Sequence, residues 1–96
     1  MSSPRIEALL FDEDNEAKFA AHNLTTRQVD QVLDNEFVVV RNRRRRRGLY
    51  LIIGRDHGGL YLSIPVETTV QNGLWRPVTA WPSKPSEIAK LRHQWR

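Results

Sequence analysis

The chain has 96 residues and a formal net charge of +4, and a length of this order makes one domain, 1–96, that buries only about 60–65% of its unfolded surface. It has no cysteine, which excludes disulfides and thiolate metal centres and fits an intracellular setting. The charge is unevenly spread: residues 1–40 hold 8 acids and 3 bases, whereas residues 41–96 hold 3 acids and 12 bases, so the second half suits a polyanionic partner such as RNA, DNA or an acidic protein segment.

Residues 1–5 read as frayed, and Met1-Ser2-Ser3-Pro4 lacks the apolar core of a signal peptide. With apolar runs of only about five residues, far short of a bilayer span, a soluble cytoplasmic protein without membrane contact is expected. Ile6 to Phe11 suggests a short strand. Asp12-Glu13-Asp14 then puts carboxylates where free amides need caps, predicting a helix from about Glu13 to His22 with Ala17, Ala20 and Ala21 on one face and Phe19 beside it. Thr25 and Gln28 match a capping box, and Val29, Val32 and Leu33 give the next helix its apolar face.

Four strands follow: Phe37 to Arg41, Leu49 to Ile53, Leu60 to Ile64 and Leu74 to Ala80, rich in β-branched and aromatic residues and separated by turn residues. Three consecutive valines predict a first strand that is central or covered on both faces. Arg43 to Arg47 fill the first connection, either as a solvated loop that guards against aggregation or as a phosphate-contacting loop, since arginine forks match phosphate geometry. Asp56-His57-Gly58-Gly59 predicts an antiparallel hairpin. Leu60, Leu62, Ile64 and Val66 point to one face and Tyr61 and Ser63 to the other, while Pro65 marks an edge, a bulge or a strand end. Pro82 to Pro85 stop the sheet and open a last helix capped by Ser83 or Ser86, with Ile88, Leu91 and Trp95 as its stripe.

The class is therefore α+β: a small antiparallel sheet of three to four strands, preceded by two helices and followed by one. Against this order, Phe11-Asp12, Asn15, Lys18 and His22-Asn23-Leu24, then Ile53-Gly54-Arg55, then Gly73, Arg76-Pro77-Val78-Thr79-Ala80 and Glu87 together resemble BrnT-type toxins over most of the chain. The resemblance implies a RelE/ParE-like fold with helices on one side of the sheet. It also implies the toxin half of a bacterial type II toxin–antitoxin pair, a metal-independent endoribonuclease that inhibits translation. A ribbon-helix-helix antitoxin would be its partner, and operator DNA would be bound through that complex. The family's usual arginine after the closing alanine is Trp81 here, and the arginine run is no general family feature.

Metal-free RNA cleavage needs a base for the 2′-hydroxyl, an acid for the leaving 5′-oxygen and cations for the charged intermediate. The imidazoles are His22, His57 and His93, whose pKa lies nearest neutrality. The expected centre combines His22 and Lys18 for proton transfer or orientation with Arg55 and Arg76 as phosphate holders; Arg43, Arg44, Arg45, Arg46 and Arg47 would extend the nucleic-acid contact. His22 also fits a helix-end role, Arg55 an exposed strand end and Arg76 a sheet-surface salt bridge. Glu67 is a weaker base candidate. Tyr61, Trp75 and Trp81 suit either base stacking or the core. No cofactor or metal is called for, and a non-catalytic nucleic-acid-binding module or a degenerate toxin acting through protein contacts is the alternative.

Overall fold

The computed structural model describes residues 4–42 and 47–94; Arg43 to Arg46 and Trp95 lie outside the described residues. The elements are β1 (Ala8–Leu9), α1 (Glu13–Ala21), α2 (Thr26–Gln31) with a 3-10 turn (Val32–Asp34), β2 (Phe37–Arg41), β3 (Tyr50–Arg55), β4 (Tyr61–Thr68), β5 (Leu74–Pro77), β6 (Trp81–Pro82) and α3 (Pro85–Gln94). The sheet runs β1-β5-β4-β3-β2, with β6 also pairing β4. All of these pairs are antiparallel except β1 with β5, which is parallel.

The class is α+β, but the sheet is mixed, with six strands among the described residues instead of three to four antiparallel ones. β1 falls within the short strand expected over Ile6 to Phe11, whereas the two residues of β6 are too few to carry an alternating pattern. The fourth expected strand, Leu74 to Ala80, is broken. Val66 pairs with Pro77 and Ser63 with Trp81, so Ile64 and Pro65 oppose three residues, Val78, Thr79 and Ala80. The extra residue is a bulge, and Pro65, with no N–H to offer, sits opposite it while its carbonyl accepts from Val78 N at 2.8 Å.

Helices cover both faces, which corrects the expectation of helices on one side. Phe19, Leu24, Val29 and Val32 pack on Ile52, Leu62, Ile64, Val66 and Trp75. On the opposite face, Leu91 of α3 packs on Val38, Leu51 and Ile53. The cause is legible in β3, where Leu51, Ile52 and Ile53 are consecutive and all buried, a pattern only two-sided cover satisfies. The three valines of β2 obey the same rule: Val38 and Val40 turn to α3, Val39 to the other face. Yet β2 is an edge strand and not a central one.

The ends of α1 are set locally. Asp12 and Asn15 form a reciprocal capping box, each side chain accepting from the other's backbone N–H at 2.9 Å. At the far end Asn23 takes φ +61, with Leu24 N donating to Phe19 O and Asn23 N to Ala20 O, both at 2.9 Å, a Schellman stop. The buried face is Asn15 and Phe19; Ala17, Ala20 and Ala21 are exposed, since one phenyl ring buries more apolar area than methyl groups do. The capping box of Thr25 and Gln28 forms as expected. At α3, Pro85 is the first helical residue, and the Ser83 hydroxyl bonds Ser63 at 2.8 Å instead of capping.

Candidate nucleic-acid interface

The two ends of the chain's motif pattern meet in space. Asp12, at the start of α1, takes Arg76 of β5 in a bidentate pair, Nε to Oδ2 at 2.7 Å and Nη2 to Oδ1 at 3.1 Å. Asn15 is fully buried and donates through Nδ2 to Leu10 O and Pro77 O, both at 3.0 Å, so it stitches α1 to the end of β5. Glu67, opposite Arg76 across β4 and β5, accepts from Arg76 Nη1 at 2.9 Å and lies 3.4 Å from Arg47 Nη2. The Arg76 hydrogen bond, reinforced by the Asn15 backbone amide, holds the Asp12 carboxyl below its usual pKa against a small opposing effect of burial. Asp12 first, then Glu67, raise the Arg76 guanidinium against burial.

Arg76 is thus engaged by two carboxylates, with its side chain only 20% exposed. It is a structural tie here, and the surface salt bridge weighed above describes its contacts. Glu67 is committed to the same cluster. Arg55 is elsewhere: it ends β3, is exposed, and lies 5.9 Å from the Tyr61 ring. The β4 partners of the two arginines, Tyr61 and Glu67, are six positions apart, so Arg55 and Arg76 share a sheet face at about 20 Å separation. Arg55 shares its shallow recess with Glu36, Tyr61, Leu91 and Arg92.

His22 lies in a different place. It follows α1 as the helix cap residue, but the stop itself is made by backbone groups and by Asn23 and Leu24, and the imidazole has no hydrogen-bond partner among the described residues. It lines an open recess of about 500 Å³ with Trp81, Pro82 and Lys84. Lys18 is exposed on α1 four residues before His22, hence on the same side of the helix. The opposite wall is rigid. Glu87 Oε1 accepts from Ser63 Oγ at 2.8 Å, Trp81 Nε1 at 3.1 Å and Lys84 N at 2.8 Å, which fixes the indole and the start of α3 together.

Of the four expected catalytic residues, His22 alone lines this recess; Lys18 stands four residues earlier on the same helix, and Arg55 and Arg76 lie elsewhere and apart from each other. Lys84 was missed: only the fold brings it to His22, and no spacing rule signals it. His57 is tied to Asp34, Nε2 to Oδ2 at 2.9 Å, and its backbone to Gln31. Trp75 belongs to the core, with its Nε1 donating to Arg5 O at 2.9 Å. Among the described residues no group of three or more His, Asp or Glu side chains could hold a metal ion, and no helix is long and apolar enough to cross a membrane. Comparison with protein-family models, with curated proteins and with solved structures found no match to this chain.

Proposed function

We propose that the chain binds single-stranded RNA and cleaves it without a metal ion, as the toxin half of a bacterial toxin–antitoxin pair, and that the reaction is centred on the recess of His22, Trp81 and Lys84. The observation that carries this is an imidazole with no structural duty facing an ammonium and an immobilised indole across one open space. Trp81 offers a base a stacking surface. Lys84, with Lys18 on the His22 side, supplies the positive charge that a pentavalent phosphate requires. His22 takes the 2′-hydroxyl proton. The 2′-oxygen then attacks phosphorus and the bond to the 5′-oxygen breaks. That oxygen takes a proton from water, the hydroxide left behind takes the proton held by His22, and the products are a 2′,3′-cyclic phosphate and a 5′-hydroxyl. The motif resemblance to BrnT-type toxins supports the same reading, with a ribbon-helix-helix antitoxin as protein partner and operator DNA bound through their complex.

The test is cleavage of a labelled RNA in excess chelator. Activity is expected, and His22→Ala is expected to slow it by about 10²–10⁴-fold, the usual contribution of a positioned proton-transfer group. Chelator-resistant cleavage that His22→Ala leaves intact removes the recess from the mechanism.

A second reading is a module that binds nucleic acid, or a protein partner, without cutting. Saturation of Arg76 by Asp12 and Glu67 favours it, because the arginine best placed by sequence to hold phosphate is already neutralised. It predicts salt-sensitive RNA binding with no cleavage.

A further inference from the structure

We infer that β2 is a docking edge for an extended acidic segment of a partner protein, which adds to the sheet as one more antiparallel strand. The strand lies at the end of the sheet order and pairs with β3 alone. Asn42 N donates to Leu49 O at 3.1 Å, which identifies that pair as hydrogen-bonded. Bonded and non-bonded pairs alternate in an antiparallel ladder, so Val40 with Leu51 and Val38 with Ile53 are bonded as well. Phe37, Val39 and Arg41 consequently turn their N–H and C=O groups outward, with no partner among the described residues. The other sheet edges are blunted: β1 and β6 have two residues each, and β6 includes Pro82. By contrast, β2 offers five residues, Phe-Val-Val-Val-Arg, without proline or bulge and with a charge only at its last position. Phe37, Val39 and Val40 are half-buried, so a neighbouring strand would complete their cover on both faces.

Charge selects the occupant. Arg41 is exposed at the end of β2, five more arginines follow at positions 43–47 in the sequence, and the whole chain carries +4. A second copy would bring a second arginine run and a further +4 against the first. RNA phosphates accept hydrogen bonds but offer no donor to the outward carbonyls. A peptide strand with carboxylates at its N-terminal end, which antiparallel addition sets beside Arg41, satisfies both the ladder and the charge. The inference stands whether or not the protein cuts RNA.

The experiment is residue-resolved amide exchange of the full chain, alone and with each of two synthetic peptides. Both contain Val-Thr-Val-Thr-Val; one is preceded by Asp-Glu-Asp and the other by three lysines. The acidic peptide is expected to slow exchange of the Phe37, Val39 and Arg41 amides at least tenfold, and the lysine peptide to leave them unchanged. Val39→Pro removes an outward N–H while sparing the β2–β3 ladder, so it should abolish the peptide effect with circular dichroism unaltered. If that variant does not fold, the wild-type pattern with the two peptides decides alone. Equal protection by both peptides, or by neither, overturns the inference. Protection without peptide, accompanied by a dimer in sedimentation, assigns the edge to a second copy and overturns it too.

Discussion

Three residues of the motif pattern have their roles in the fold, not in chemistry. A Cβ on Gly54 would sit 2.8 Å from both Phe37 Cβ and Val32 Cγ1, so glycine is what lets β3 pair beside Phe37 of β2 with the 3-10 turn packed over it. Gly54→Ala should cost about 1–3 kcal/mol through overpacking, read as a lower urea midpoint with an unchanged slope. Asn15 supplies the amide donors for two backbone carbonyls; Asn15→Ala leaves both short of a donor and should cost about 2 kcal/mol in the same measurement. The lowered pKa of Asp12 has a definite sign. A carboxylate whose folded value lies below its unfolded value of 3.8 contributes stability above that unfolded value, and the contribution fades as pH falls through the folded one. The gap in urea midpoint between wild type and Asp12→Asn should therefore be full at pH 6 and narrow below pH ~4. A gap of constant size across that range would mean that the Arg76 pair does not bear on stability.

At the scale of elements, the sequence made plain those features with a local cause. Thr25 with Gln28 caps α2, and Asp56 to Gly59 turns the hairpin, its Asp56 carboxylate accepting from Leu60 N at 2.9 Å. The expected limits of β2 hold to the residue. What was hidden depends on partners distant in the chain. The parallel pairing of β1 with β5 and the bulge opposite Pro65 leave no pattern in a window of a few residues. The weak alanine stripe of α1 pointed to the wrong face because a polar Asn15 occupies the buried one. The start of α3 gives an instance that can be checked. Three donors converge on Glu87 Oε1, one of them the indole of Trp81. Glu87→Ala should loosen that end of the helix, cost about 1–3 kcal/mol and shift Trp81 emission to longer wavelength as the ring gains freedom and water. A Glu87→Gln variant keeps an acceptor at the same place and should recover most of the loss.

For the whole molecule, the division into an acidic first half and a basic second half is partly offset by folding: Asp12 of the first half meets Arg76 of the second. This is why the motif pattern overstated Arg76 as a phosphate ligand: its guanidinium is already met by Asp12 and Glu67. The cations left exposed include Lys18, Arg55, Lys84 and Arg92, which lie around α1 and α3, and the arginine run adds five charges within a few residues. Its role can be separated from theirs by salt. Each phosphate neutralised on a single strand contributes about 0.7 to the negative slope of log K against log salt. Arg47 lies 3.4 Å from Glu67, and replacing Arg43 to Arg47 by serine should flatten the slope by about 3. Lys84→Ala removes a single contact and should change it by less than one. If the serine variant keeps the wild-type slope and affinity, the run does not touch RNA in the complex. The arginines would then serve to keep the open β2 edge from pairing with other copies, and the serine variant should aggregate at concentrations where the parent stays monomeric.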